Sequence, residues 1–156
     1  MSFRILGLCV EPFKHLFGLS DQELAANNVI RRIAVAKPGF PDRVELRDAE
    51  PGESLLLLNY MHQPAHSPYQ ASHAIFVSEK SQSRYDQSNE VPASLRGRTL
   101  SLRAFDNKGL IVTADVIDGK KVEELIEKQL DTAEVAYIHA HYAGHGCYAA
   151  RIERVS

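Results

Sequence analysis

The sequence predicts an α+β fold: a curved, mainly antiparallel sheet built from hairpins, with two or three helices packed on one side. Two observations carry that expectation. Short apolar or alternating runs of strand length follow one another, separated by turns rich in Gly, Pro, Asp and Asn. Helices are few, and only 119–130 has the spacing of a substantial amphipathic helix.

In chain order, Phe3 to Leu8 reads as a first strand, and Pro12 opens a short helix carrying Phe13, Leu16 and Phe17. Ser20 to Glu23 is a capping-box pattern for a helix reaching about Asn27. Val29 to Val35 is a strand, and the Pro38, Gly39 and Pro41 cluster is a rigid turn. Arg43 to Leu46 reads as a short edge strand, and Asp48 to Gly52 as a turn. Glu53 to Tyr60, around four consecutive leucines, reads as a central strand buried on both faces. A long loop, Met61 to Ser72, and a strand, His73 to Ser78, follow. The polar stretch 79–94 is expected to be a mobile surface loop.

Thr99 to Phe105 alternates, with Leu100, Leu102 and Ala104 on one side. Asp106 to Gly109 is a hairpin turn, and Leu110 to Ile117 returns as a strand. From Gly119 to Leu130, Val122, Leu125, Ile126 and Leu130 share one helical stripe. A C-terminal hairpin ends the chain.

The 156 residues fit one domain, 1–156, with 44% hydrophobic and 24% charged residues and a net charge of -2. Without a basic stripe, nucleic acid and anionic membranes are not expected partners. The N-terminal apolar run is short, and there are two cysteines, so a cytoplasmic protein with reduced thiols is expected. No P-loop, dinucleotide fingerprint, hydrolase elbow or Cys-x-x-Cys is present.

Six of the seven histidines fall into two groups. His139, His141 and His145 lie in the C-terminal hairpin. With a three-residue loop, Gly144 to Gly146, Tyr142 faces Tyr148, Ala140 faces Ala150 and Ile138 faces Ile152 on the apolar side. His141 then faces Ala149 and His139 faces Arg151 on the polar side, with Cys147 near its open end and His145 at the tip. Two imidazoles at i and i+2 on a strand can point at one metal such as zinc, with a third ligand from Cys147, His62, His66 or His73. Without a metal, His139 or His141 beside Arg151 can act as a general base next to an anion-binding guanidinium. Cys147 is a candidate nucleophile assisted by either histidine, whereas Cys9 reads as a core residue. The second group, His62, His66 and His73, brackets the 61–72 loop, where Tyr69 adds a hydrogen-bonding group. These four residues are candidate ligand contacts. The competing readings are a solvated hairpin face and a structured connection.

Leu19 to Leu24, Lys37 to Pro41, Gly52-Glu53 before the leucine run, Ser67-Pro68-Tyr69 with His73 to Val77, and Gly146 to Ala149 together resemble the bacterial domain-of-unknown-function family 1203. The likeness covers nearly the whole chain and implies a small single-domain protein of unassigned activity. Members of that family often have a cysteine after the Phe-Pro pair, where this chain has Asp42. The resemblance therefore implies that a site using that thiol is absent here or uses a carboxylate. The functional expectation is binding of a small, anionic molecule, or histidine-based acid–base or metal-assisted catalysis, at the C-terminal hairpin. The alternative is a non-catalytic interaction protein, such as a homodimer.

Overall fold

Short runs with apolar residues at every second position fold as strands that hide one side, and each needs a partner for its backbone. In the computed structural model, which describes residues 2–155, nine strands pair antiparallel into two sheets. The larger sheet holds β1 (Phe3–Leu6), β5 (Asp86–Ser88), β6 (Thr99–Phe105), β7 (Ile111–Asp118), β8 (Tyr137–Tyr142) and β9 (Tyr148–Arg154), in the order β5-β1-β9-β8-β6-β7. The smaller holds β2 (Ile30–Ile33), β3 (Ser54–Gln63) and β4 (Ala71–Ser78), with β3 central. The fold is α+β with antiparallel sheets, and the expected hairpins divide between two of them.

Three short α-helices accompany the sheets: α1 (Asp21–Ala26), α2 (Ala93–Arg96) and α3 (Val122–Leu130). A 3₁₀ turn, Glu11–Leu16, starts one residue before the expected Pro12. Ser20 caps α1, its hydroxyl accepting from Glu23 N at 3.1 Å. The stripe Val122, Leu125, Ile126 and Leu130 of α3 packs on Leu100, Leu102, Ile138 and Ile152 of the large sheet. Each fully buried side chain of this size contributes about 1.5–3 kcal/mol. Asp118 caps the short 3₁₀ turn Gly119–Lys121 that leads into that helix, accepting from Lys120 N at 2.9 Å.

The leucine run is continuous because β3 is covered on both faces. Leu55 packs with Ala34 and Ala49, while Leu56 and Leu58 pack with Phe13, Leu24 and Ile75. Beyond Tyr60 the strand does not stop. β3 continues through a bulge to Gln63 and β4 begins at Ala71, so the connection is 64–70 rather than the expected 61–72. The extension persists because its polar side chains find inward partners: Gln63 Nε2 donates to Tyr137 Oη of the large sheet at 3.0 Å.

Arg43 to Leu46, expected as an edge strand, is a buried turn. Asp42 Oδ2 accepts from Glu45 N at 2.8 Å and curls the chain. Leu46 adopts φ 53 and drops into the main core. Segment 79–94, expected as a loop, carries β5 against β1, and Tyr85 packs on the core. No helix among the described residues is long and apolar enough to cross a membrane.

Candidate functional site

The site is assembled by the β8–β9 hairpin and the end of β3. Ile138, Ala140, Ala150 and Ile152 pair as the sequence predicts, and His139 stands opposite Arg151. Nearer the turn the register changes. Tyr142 N donates to Cys147 O at 2.9 Å, so the loop has four residues, 143–146, with Gly146 at φ 81. A bulge at Ala149 restores the register by Ala150. His141 therefore faces Tyr148 instead of Ala149.

That one-residue difference exchanges two side chains between the faces. Tyr148 leaves the apolar side and joins the histidines, with ring centroids 5.1 Å from His139 and 5.9 Å from His141. Cys147 leaves the polar side and joins Tyr142 in the main core cluster. The expected place of Cys147 as a nucleophile or ligand beside His139 and His141 is thus corrected: those histidines lie on the other face of the strand pair.

The polar face is not solvated. His139 is 4% exposed and His141 is 1% exposed. The bulged end of β3 covers them with His62, whose ring lies 5.0 Å from His141 and 6.3 Å from His139 and stacks on Tyr148 at 5.6 Å. One ring nitrogen from each of His62, His139 and His141 lies within 4.8 Å of the other two. Phe105 and Tyr137 wall the far side of His139, each with its ring centroid 5.1 Å away.

Burial removes water from these imidazoles and penalises their charged form. Desolvation first, then His141, Arg151, His62 and Arg103, hold His139 down at about 3. Desolvation likewise holds His141 down at about 3, against a raising hydrogen bond with Gly146 O, with Arg103, His62 and His73 adding to the depression. His62 is lowered for the same leading reason. All three are neutral near pH 7, with lone pairs available.

His141 Nδ1 lies 2.9 Å from Gly146 O; as the donor to that carbonyl it leaves Nε2 as the acceptor nitrogen. The Nδ1 atoms of His62 and His139 are buried with no hydrogen-bond partner among the described residues. Buried polar atoms are rarely left so, and two of them lie in this one cluster.

His62, His139 and Tyr148 open on a cleft of ≈ 300 Å³ also lined by Tyr60, Arg84 and Arg151. Arg151 lines the cleft, its Nε donating to Glu153 at 3.0 Å and its guanidinium 4.2 Å from the Tyr137 ring centroid. Cys9, expected in the core, is exposed on this cleft and accepts from Arg84 Nη1 at 3.4 Å.

The other expected contacts stand apart. His66 and Tyr69 are exposed on the 64–70 connection, with Tyr69 against Phe105. His73 is half-buried on β4, its Nδ1 3.1 Å from Ala74 O, and reaches the cluster only through its charge. Asp42 lies outside the site; its carboxylate accepts from Ser78 N, Ser81 Oγ and Glu45 N. Sequence reasoning missed Tyr148 and Arg103. Arg103 had a signal, as the charged member of the alternating polar face of β6, and it stands opposite His139. The bulge that turns Tyr148 had none.

A family model described as "Protein of unknown function (DUF1203)" matches residues 39–154. No curated protein and no solved structure matches the chain.

Proposed function

Because the chain belongs to the family described as "Protein of unknown function (DUF1203)", whose description assigns no activity, we propose a function from the site's own chemistry. His62, His139 and His141 form a three-histidine centre for a divalent transition metal such as zinc, beside a cleft that admits a small anion.

The observation that carries this reading is the convergence of three neutral imidazoles, two with an unpartnered buried nitrogen. Nitrogens on a tetrahedral zinc lie about 3.3 Å apart, given bonds of about 2.0–2.1 Å. The present nitrogens lie within 4.8 Å of one another, so binding would draw them together by up to about 1.5 Å. The Gly146 carbonyl supports His141 as outer-shell acceptors support metal-bound histidines.

Acid–base chemistry without a metal is less well served. A general base works best with a pKa near the operating pH, and His139 and His141 are held at about 3. Bound there, the ion would act as a Lewis acid at a position open to the cleft. Arg103, beside His139, has no carboxylate partner among the described residues, and burial lowers its pKa. Its charge opposes a bare cation and favours an anionic fourth ligand, and Arg84 and Arg151 at the cleft favour the same.

The test is a zinc titration by calorimetry and a cobalt titration by visible absorption, on protein purified without a polyhistidine tag and stripped by chelator. One ion should bind per chain, with the intense bands of tetrahedral cobalt. His62→Ala, His139→Ala and His141→Ala should each weaken binding by more than the ~10–100-fold that losing an outer-shell partner costs. No saturable uptake of either ion would end the reading, as would uptake unchanged in all three variants.

A further inference from the structure

On the opposite face of the same hairpin, a cleft of ≈ 490 Å³ is lined by Arg43, Phe76, Arg98, Tyr142, Gly144 and Cys147, among others, and by no acidic residue. Arg43 is 2% exposed. Its Nε donates to Tyr148 O at 2.7 Å, its Nη1 to Pro41 O at 2.5 Å and its Nη2 to Cys147 Sγ at 3.0 Å. These acceptors are two carbonyls and a sulfur, and among the described residues no carboxylate lies within ion-pair distance of Arg43. Burying a guanidinium without a counter-charge is costly.

The neighbouring charges do not balance it. Arg98 lies on the same Tyr142 ring as Arg43, each guanidinium 4.9 Å from the centroid. Asp48 pairs with Arg98 at 2.6 Å, from outside the cleft lining. Two guanidiniums and one carboxylate leave one positive charge, and it belongs to the more buried arginine. The Tyr142 ring compensates it only in part. A guanidinium has five N–H donors. Arg43 uses three in the bonds above, and the other two have no acceptor among the described residues.

We infer that this cleft is a second binding site, separate from the histidine centre, for a small organic oxyanion. The oxyanion pairs with Arg43, and the apolar body of the ligand rests on Phe76 and Tyr142. The class fits both halves of the lining. A phosphate or carboxylate matches the planar donor fork, and a ring or short chain fills the apolar wall. The inference stands whether or not the histidines hold a metal.

The test uses metal-free full-length protein and three probes of similar size: phenyl phosphate, benzoate and neutral benzyl alcohol. At least one of the two anions should bind saturably and at least about tenfold tighter than the alcohol. It should also slow alkylation of Cys147 by iodoacetamide, read by mass spectrometry. Arg43→Lys should lose that preference, but Arg43 also ties Pro41 to Tyr148 and the variant can fail to fold. Gly144→Phe avoids this. Gly144 lines the cleft and a Cβ there meets nothing within 4 Å, so a larger side chain has open space at the cleft wall, and anion binding should weaken at least about tenfold. The inference is overturned if neither anion outcompetes the alcohol, or if binding leaves Cys147 alkylation and the Gly144→Phe protein's affinity unchanged. The first outcome would mean that the Cys147 sulfur and the Tyr142 ring meet the charge of Arg43 without a ligand.

Discussion

At the scale of single residues, His139 and His141 are decided by burial more than by charge. Desolvation is the leading cause of both depressed pKa values, ahead of any arginine. This has a consequence for stability. In the unfolded chain these imidazoles titrate near 6.5, and in the fold they are held at about 3. Between those values the unfolded chain binds protons that the native one refuses. Stability from this source is complete above about pH 6.5 and falls as the pH drops toward about 3, by up to about 1.4 kcal/mol per pH unit for each histidine. Denaturant midpoints measured from about pH 7 down to about pH 5 should show that slope, above the range where most carboxylates titrate. The His139→Gln protein should lose about one proton's share of it. An unchanged slope in that variant would mean that His139 is accessible to protons in the native state.

At the scale of elements, one extra residue in β9 sets which functional groups meet. The four-residue loop offsets the two strands by one, and the bulge at Ala149 removes the offset before Ala150. Between the two, Tyr148 faces the histidines and Cys147 faces Arg43. A close approach in the turn just before α3 is equally local. Gly119 sits where a Cβ would lie 2.0 Å from Leu95 O and 2.7 Å from Arg98 O, both backbone atoms near α2. Backbone cannot move aside as a side chain does. Gly119→Ala should destabilise the protein by about 1–3 kcal/mol, as overpacking does, with the unfolding midpoint as the measurement. A midpoint equal to that of the parent would show that the α2–α3 junction can open without cost.

At the scale of the molecule, the histidine centre spans both sheets. His62 comes from β3 of the small sheet, and His139 and His141 come from β8 of the large one. A metal held by all three would therefore tie the sheets together and stabilise the native state by mass action. At a free zinc concentration about 100-fold above Kd, the gain is about 2.7 kcal/mol, a rise of about 5–10 °C in Tm for a chain of this size. Thermal melts with and without zinc should show that rise in the parent and none in His62→Ala. The same rise in both proteins would place the zinc elsewhere.

Much of the frame was legible because it is local. The capping serine of α1, the apolar stripe of α3, the alternation of β6 and the pairing of Ile138 with Ile152 follow from spacing and short-range hydrogen bonding. So did the candidacy of His139 and His141, which stand two residues apart on one strand. The sequence by itself determined an α+β chain of hairpins with two imidazoles on one face. Tertiary structure alone decided that this face is buried, that His62 covers it, and that Tyr148 rather than Cys147 lies beside it. The physical reason is distance along the chain and near-equality of the choices. Loop lengths of three and four differ little in local energy, so packing of Tyr148 and Cys147 selects between them. The contact between β3 and β8, more than seventy residues apart, leaves no period in the sequence to read.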